Sequence, residues 1–203
     1  MASFSIDVLP SPALNHDTLL QYSARLKALR LRSLKGDTKS FISKYESEVG
    51  QPEDFWLARL RNDRAVHLIL ARDSTESSDL ELLQKQWVGF VVIVAPSRGN
   101  VKHTGQRSSA EWEMSALYIE PDVRGQGLGK RLVEATIDYI GKHGFKDEGE
   151  TPVCLTSVRH GNDSALGLYQ KLGFFVIEPN EHIEKEGRSY LATQLRFDFQ
   201  QMP

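Results

Sequence analysis

Between Met114 and His143 an apolar run runs straight into Arg124-Gly125-Gln126-Gly127-Leu128-Gly129, and an amphipathic stretch follows at once. Few sequence features restrict a fold more. Glycine lacks a Cβ, so three glycines in five residues let the backbone turn tightly and point its N–H groups at an anion. A helix starting there adds unpaired first-turn donors and the positive end of its dipole. The predicted unit is therefore strand, phosphate-cradling loop, helix. Two familiar phosphate loops fail on spacing: a dinucleotide fingerprint starting at Gly125 needs glycine where Lys130 stands, and a Walker loop needs Ser or Thr where Arg131 stands. The other reading of the cluster is a turn that only joins strand to helix.

Reading outward, the chain predicts a strand over Phe4 to Val8, ended by Pro10 and Pro12. A helix from Leu14 to Leu34 follows, capped by Asn15 or Asp17, with Leu19, Leu20, Leu26, Leu29 and Leu34 on one stripe and Gly36 past its end. A second helix is predicted from Asp37 as N-cap to Gly50, with Phe41, Ile42, Tyr45 and Val49 inward. A third begins at Pro52 and carries Phe55, Trp56 and Leu60. Strands are expected at Val66 to Ala71 and Trp87 to Ala95, with the Ser-rich segment Asp73 to Gln86 as a surface insertion. The polar loop Pro96 to Ala110 holds Arg98, Lys102, His103 and Arg107, read as a solvated hairpin tip.

The second half alternates. Strand Trp112 to Ile119, helix Leu128 to His143 with Gly144 at its end, and strand Val153 to Val158 are followed by a short helix. Asn162, Asp163 or Ser164 caps that helix, Ala165, Leu168, Tyr169 and Leu172 form its stripe, and Gly173 ends it before strands Phe174 to Ile177 and Tyr190 to Phe199. The order β, α, α, α, β, β, β, α, β, α, β, β predicts an α/β (α+β) domain, a mixed sheet with helices on both faces, formed by residues 1–203 as one unit.

Composition excludes more than it assigns. Lys and Arg number 25 against 27 Asp and Glu, a net charge of −2, so no basic stripe for a nucleic acid is expected. A single cysteine, Cys154, excludes an internal disulfide and a Cys-rich zinc site, and the six scattered histidines lack ligand spacing, so no metal is expected. Met1 to Leu9 has no basic leader pattern, and no run of 18 apolar residues occurs. No membrane association is expected, and the expected location is the cytoplasm or the nucleus.

The run Leu117-Tyr118-Ile119-Glu120-Pro121 leading into the glycine loop, joined some 40 residues later to Asn162-Asp163-Ser164-Ala165, Tyr169 and Gly173-Phe174, resembles the GNAT superfamily of N-acetyltransferases. The likeness spans nearly the whole chain, and Leu29 to Arg32 with Phe41 is similar to the family's acceptor-side helices. It implies a largely antiparallel sheet in which the strand before the loop splays from the Val153 to Val158 strand. It also implies acetyl-CoA as cosubstrate and a monomer or homodimer. The family's loop pattern falls on Arg124, Gly127 and Gly129, so the N–H groups of the segment Gly125, Gln126, Gly127, Leu128, Gly129 and Lys130 are expected to hold the pyrophosphate, with Lys130 adding charge. The pantetheine arm is expected along the main chain of Leu117 and Ile119, like a substitute strand, with Asn162 contacting its amides.

The implied reaction is acetylation of a primary amine of a small molecule or peptide by direct attack. An alkyl ammonium has a pKa of ~10, so the acceptor must lose a proton and the departing thiolate gains one. By resemblance Glu113 is the candidate base, directly or through water, and Tyr169 the candidate acid, with a main-chain N–H near Leu117 facing the oxyanion. Each has a plain alternative: Glu113 as a strand-edge carboxylate, with Glu111 two residues away able to exchange roles through a bulge, Tyr169 as core, and Asn162 as a helix cap. The rival function is a non-catalytic module that binds acyl-CoA. His160, just before Asn162, is either a base or exposed at a strand end, the latter being expected, with His67 packed in the sheet and Cys154 inert. The acceptor is expected between Leu34 to Lys39 and the connection Asn180 to Ser189, where Glu181, Glu184 and Glu186 either attract a cation or are solvated.

Overall fold

The computed structural model describes residues 3–9, 15–73, 81–96, 110–145 and 151–200. Thirteen elements succeed one another: β1 Phe4–Val8, α1 His16–Gly36, α2 Tyr45–Val49, α3 Glu53–Arg61, β2 Ala65–Arg72, β3 Gln86–Val94, β4 Glu111–Ile119, a 3₁₀ turn Pro121–Val123, α4 Leu128–His143, β5 Val153–Arg159, α5 Asp163–Lys171, β6 Phe175–Lys185 and β7 Arg188–Asp198. Apart from the 3₁₀ turn this is the expected order. Asn15 caps α1 by accepting from the Thr18 N–H at 2.9 Å, and Asn162 caps α5 by accepting from the Ala165 N–H.

One seven-stranded sheet runs β1-β2-β3-β4-β5-β7-β6, antiparallel except where β4 meets β5. The period of two sends alternate side chains to opposite faces. On one face Leu68, Leu70, Val91, Ile93, Trp112 and Met114 pack with Leu132, Val133 and Ile140 of α4; on the other Ile69, Ala71, Trp87 and Phe90 pack with Leu26 and Leu29 of α1 and Leu57 and Leu60 of α3.

A bulge in β4 controls where the site forms. Phe90 pairs with Tyr118 and Val92 with Ser115, so Ala116 and Leu117 stand opposite the single residue Val91. Ala116 has φ +55°, a left-handed conformation that alanine enters at some cost. The extra residue turns the alternation over. Before it the even-numbered Trp112 and Met114 face α4; after it the odd-numbered Leu117 and Ile119 do, and Tyr118 faces α1.

Three expectations are corrected. No helix spans Asp37 to Val49: only Tyr45–Val49 is helical, because Asp37 ends α1 with its N–H on Ser33 O and accepts from Ser40 Oγ at 2.6 Å and Arg124 Nη2 at 3.1 Å. Asn180 to Ser189 is no open connection. β6 and β7 pair through Lys185 and Arg188, joined by Glu186 (φ +52°) and Gly187 (φ +69°), a reverse turn whose twist suits a hairpin. The end of the Ser-rich segment is anchored, since Leu82 and Leu83 pack beside α1 and Trp87 Nε1 donates to Leu82 O at 2.8 Å. Arg98, Lys102, His103 and Arg107 lie outside the described residues.

Gly89 sits where β3 and β4 approach closely: a Cβ there would lie 2.7 Å from Tyr118 O and 2.9 Å from Ile119 Cδ1. Gly89→Ala is expected to lose about 1–3 kcal/mol in equilibrium urea unfolding through overpacking. An unchanged midpoint and slope would contradict this account of the strand pair.

Candidate active site

β4 and β5 run parallel through only three pairs, the last being Glu113 with Leu155. Beyond it they diverge, as expected, although β5 stays paired to β7 through Arg159. The β4 main chain from Met114 to Ile119 therefore has no strand on its β5 side among the described residues. A cleft of about 630 Å³ opens there, a volume ordinary for a small-molecule site.

Glu113, Leu117, Asn162 and Tyr169 all line this cleft, with Thr156 and Ser157 of β5. Glu113 stands at the last β4–β5 pair, where the strands part. Glu111 is on the same strand face but not in the cleft lining, and the bulge falls downstream at Ala116 and Leu117, where it exchanges nothing between the two glutamates. Tyr169 is buried, 5.4 Å from the Phe174 ring. Burial pushes its phenol above the ordinary tyrosine range, opposed by a hydrogen bond with Thr156, so the group stays protonated at neutral pH. The Asn162 side chain is engaged as the α5 cap.

The glycine loop continues β4 beyond Ile119, outside the cleft lining. Gly125 (φ +78°) and Gly127 (φ +75°) both adopt left-handed backbone, which explains glycine at each. Gly129 is helical, and a Cβ there would make ordinary contact with Leu168 Cδ2 at 3.5 Å. Helix α4 starts at Leu128 with no side-chain cap and no acidic residue in its first turn. Each of the other four described α-helices has an acid there. Instead α4 opens with Lys130 and Arg131, a placement the helix dipole opposes unless an anion joins it. Lys130 Nζ lies 3.5 Å from Glu134, and both side chains are largely exposed. The Arg124 side chain is engaged with the protein: it donates to Ile119 O at 2.8 Å and to Asp37 at 3.1 Å, bracing the loop against the end of α1.

Opposite the splayed strands the wall is charged. Arg30 of α1 donates to Glu48 through Nε (3.2 Å) and Nη2 (2.9 Å), and Arg59 of α3 reaches the same carboxylate at 3.1 Å. Burial disfavours the Glu48 charge, yet hydrogen bonds and charge from Arg30 and Arg59 hold its pKa below the usual carboxylate range. His67, in the same wall, is pushed down to about 4 by burial and by Arg59, and is neutral near pH 7. From the far side Glu181 turns inward, Oε1 accepting from Gln194 Nε2 at 3.1 Å while Oε2 is buried with no hydrogen-bond partner. Glu184 and Glu186 are exposed. Lys185 Nζ donates to Ser43 Oγ (2.8 Å) and Arg159 to Thr38 O and Phe41 O (3.2 Å each), tying β5 and β6 to residues 38–43 across the cleft.

Arg30, Arg59 and Gln194 were not singled out by residue pattern, whereas Glu181 was named as a candidate to attract a cation. Arg30 carries a usable signal, since a cation four residues after Leu26 falls on the apolar stripe of α1. Cys154 is fully buried and burial pushes its thiol up to about 12, and His160 lies exposed past β5 with Nε2 3.0 Å from Pro179 O. Both sit where expected, Cys154 in a core strand and His160 exposed at a strand end. Among the described residues no cluster of metal ligands occurs, and no helix is long and apolar enough to cross a membrane.

Residues 34–174 match the model of the family described as acetyltransferase (GNAT) family. The chain is similar to the peptidyl-lysine N-acetyltransferase YjaB of Salmonella typhimurium, 39% identical over 82 residues, which are 40% of this chain and 48% of that protein. It is also similar to the L-amino acid N-acyltransferase MnaT of Escherichia coli, 31% identical over 100 residues, covering 43% and 52% of the two chains. The chain thus spans about half the length of these curated relatives. In fold it is similar to Arabidopsis thaliana NAA60 in complex with acetyl-CoA, with TM-score 0.62, 11% identity, and 97% and 98% of the chains covered.

Glu48→Gln is expected to destabilise the fold by about 3–5 kcal/mol at pH 7, because it leaves the buried Arg30 guanidinium and the partly buried Arg59 guanidinium without their shared anion. Since the folded pKa of Glu48 is depressed, its contribution is present above the ordinary carboxylate range and lost as pH falls below it. The difference between variant and parent in urea unfolding should therefore shrink below about pH 4.5. A difference independent of pH would contradict the ion cluster.

Proposed function

The chain belongs to the acetyltransferase (GNAT) family, and from that premise we propose that it transfers an acetyl group from acetyl-CoA to a primary amine of a small molecule or peptide by direct attack. The observation that carries this reading is the parting of β4 from β5 just before the uncapped start of α4. One offers an unpaired main chain to an extended amide-bearing arm, the other a set of N–H donors to a pyrophosphate. The acetyl-CoA in the NAA60 complex and the lysine and amino-acid acceptors named for YjaB and MnaT support the same reading.

Acetyl-CoA supplies the activated acetyl thioester. In this reading the main chain of Leu117 and Ile119 aligns the arm, Asn162 meets its amides, and residues 125–130 hold the pyrophosphate. Glu113 takes a proton from the acceptor ammonium, directly or through water. The amine nitrogen then bonds to the acetyl carbon, the carbon–sulfur bond breaks, Tyr169 gives its proton to the departing sulfur, and the second N–H proton, lost as the amide forms, restores the Tyr169 phenol. A main-chain N–H near Leu117 faces the negative charge that develops on the acetyl oxygen. Acid and base groups each contribute about 10²- to 10⁴-fold, whereas holding amine and thioester together contributes roughly 7–11 kcal/mol. The cofactor groove therefore matters more than any single proton carrier.

One observation favours the rival module that binds acyl-CoA without turnover: the Tyr169 phenol is buried and hydrogen-bonded to Thr156, which a core tyrosine would share. Thiol release separates the two. Tyr169→Phe should lower kcat about 100-fold with a change in acetyl-CoA Kd below about threefold, and Glu113→Gln should lower kcat at pH 7 by a similar factor. Acetyl-CoA binding without thiol release across polyamines, amino acids, aminoglycosides and peptides would favour the rival. Gly127→Glu, which puts a carboxylate and a strained φ at the loop, should weaken acetyl-CoA at least about 100-fold in a folded protein. Unchanged affinity would overturn the loop assignment.

A further inference from the structure

The cationic wall of the cleft holds more charge than the fold uses. Arg30 is 6% exposed, and two of its three guanidinium nitrogens are spent on Glu48. The third, Nη1, is buried with no hydrogen-bond partner. A buried donor left unmade is costly, and a guanidinium more so than a neutral group. Arg59, with a side chain 33% exposed, shares the same carboxylate, and Phe41 lies 4.9 Å from the Arg30 guanidinium. Two cations on one carboxylate leave one positive charge over. Neutral His67 does not change that sum.

The rest of the lining points the same way. Arg30, Arg59, Arg159 and Lys185 line the cleft against Glu113 and Glu181, with Glu48 behind the wall. Arg159 and Lys185 are tied to the 38–43 segment, whereas Arg30 keeps a buried donor with no partner beside Arg59, with which it shares Glu48. The planar fork of a guanidinium matches a carboxylate better than a single point charge does. Glu113, at the parting of β4 and β5, belongs to the same cleft. An acceptor with an ammonium at one end and a carboxylate at the other would match both.

We propose that Arg30 and Arg59 form a carboxylate subsite, so that the acceptor is an amine that also carries a carboxylate. This rests on the acetyltransferase reading above and narrows its acceptor class. The anion has two sources, the α-carboxylate of a free amino acid or an acidic side chain beside the N-terminus of a peptide. In either case the carboxylate satisfies the Arg30 Nη1 donor, with Phe41 giving way beside it.

The test compares thiol release for free amino acids with their α-amides, and for dipeptide amides bearing Asp or Glu at the second position with their Asn and Gln counterparts. The free acids or the acidic dipeptides should exceed their neutral analogues at least about tenfold in kcat/KM, and whichever pair discriminates identifies the source. Arg30→Lys keeps a cation for Glu48 but removes the planar fork, and Arg59→Gln removes the more accessible guanidinium. In either variant, with folding checked by thermal unfolding, the preference should fall toward one. Equal kcat/KM for acids and amides in the parent, or a preference untouched in both folded variants, overturns the subsite. If acetyl-CoA binds but no amine releases thiol, the transferase reading fails, and titrating the CoA complex with the same acids and amides decides the subsite alone. Acids at least about tenfold tighter would support it, and equal affinities would refute it.

Discussion

The hydrogen bonds between β4 and β5 stop after three pairs, and the arrangement of the rest of the molecule follows from that stop. In a continuous sheet every backbone group between those strands would be satisfied from the other side. Here Met114 to Ile119 keeps β3 on one edge and, among the described residues, has no strand neighbour on the other. The bulge at Ala116 and Leu117 lies within the same segment, holding alanine in a left-handed conformation. Strain of this kind persists only where surrounding packing fixes it, and here the buried Met114 and Tyr118 flank it.

Charge is divided between two places. At the head of α4 it comes from the uncapped backbone together with two cationic residues: no cap, no acid, two left-handed glycines, and Lys130 and Arg131 in the first turn. On the opposite wall it is supplied by side chains, Arg30 and Arg59 around the single carboxylate of Glu48. Asp37 and Arg124 link the regions, since Arg124 of the loop pairs with the residue that ends α1. The network continues through Glu120, which accepts from Arg32 at 2.6 Å and from the Tyr118 hydroxyl at 2.8 Å. Loop position and helix position are thus set by the same contacts.

Much of this was legible in the residues themselves. The order of elements, the limits of α4 at Leu128 and His143 and a cap for α5 at Asn162, Asp163 or Ser164 were expected, and they are present with Asn162 as the cap; the parting of β4 from β5, also present, was implied by the family resemblance alone. Local signals suffice for the elements and the cap, because periodicity and capping are decided within a turn or two. Asp37 misled because a good N-cap residue serves equally well wherever partners exist, and here its carboxylate accepts from the Ser40 hydroxyl and from Arg124 of the distant loop. Nothing local marks the bulge, since Ala116 is an ordinary strand-compatible residue forced to positive φ by its neighbours. Glu186-Gly187 is a weak turn signal between two polar runs, and the hairpin it closes puts Glu181 on a strand facing the cleft. The buried ion cluster needed the third dimension, because Arg30, Glu48 and Arg59 come from three separate helices.

The most direct measurement of the central claim is backbone amide hydrogen exchange with and without acetyl-CoA. If the open edge of β4 and the head of α4 receive the cofactor, protection should rise in two segments, 115–119 and 126–130, while β2 and β3 exchange as before. Protection confined to other segments, or no change at saturating acetyl-CoA, would contradict the account.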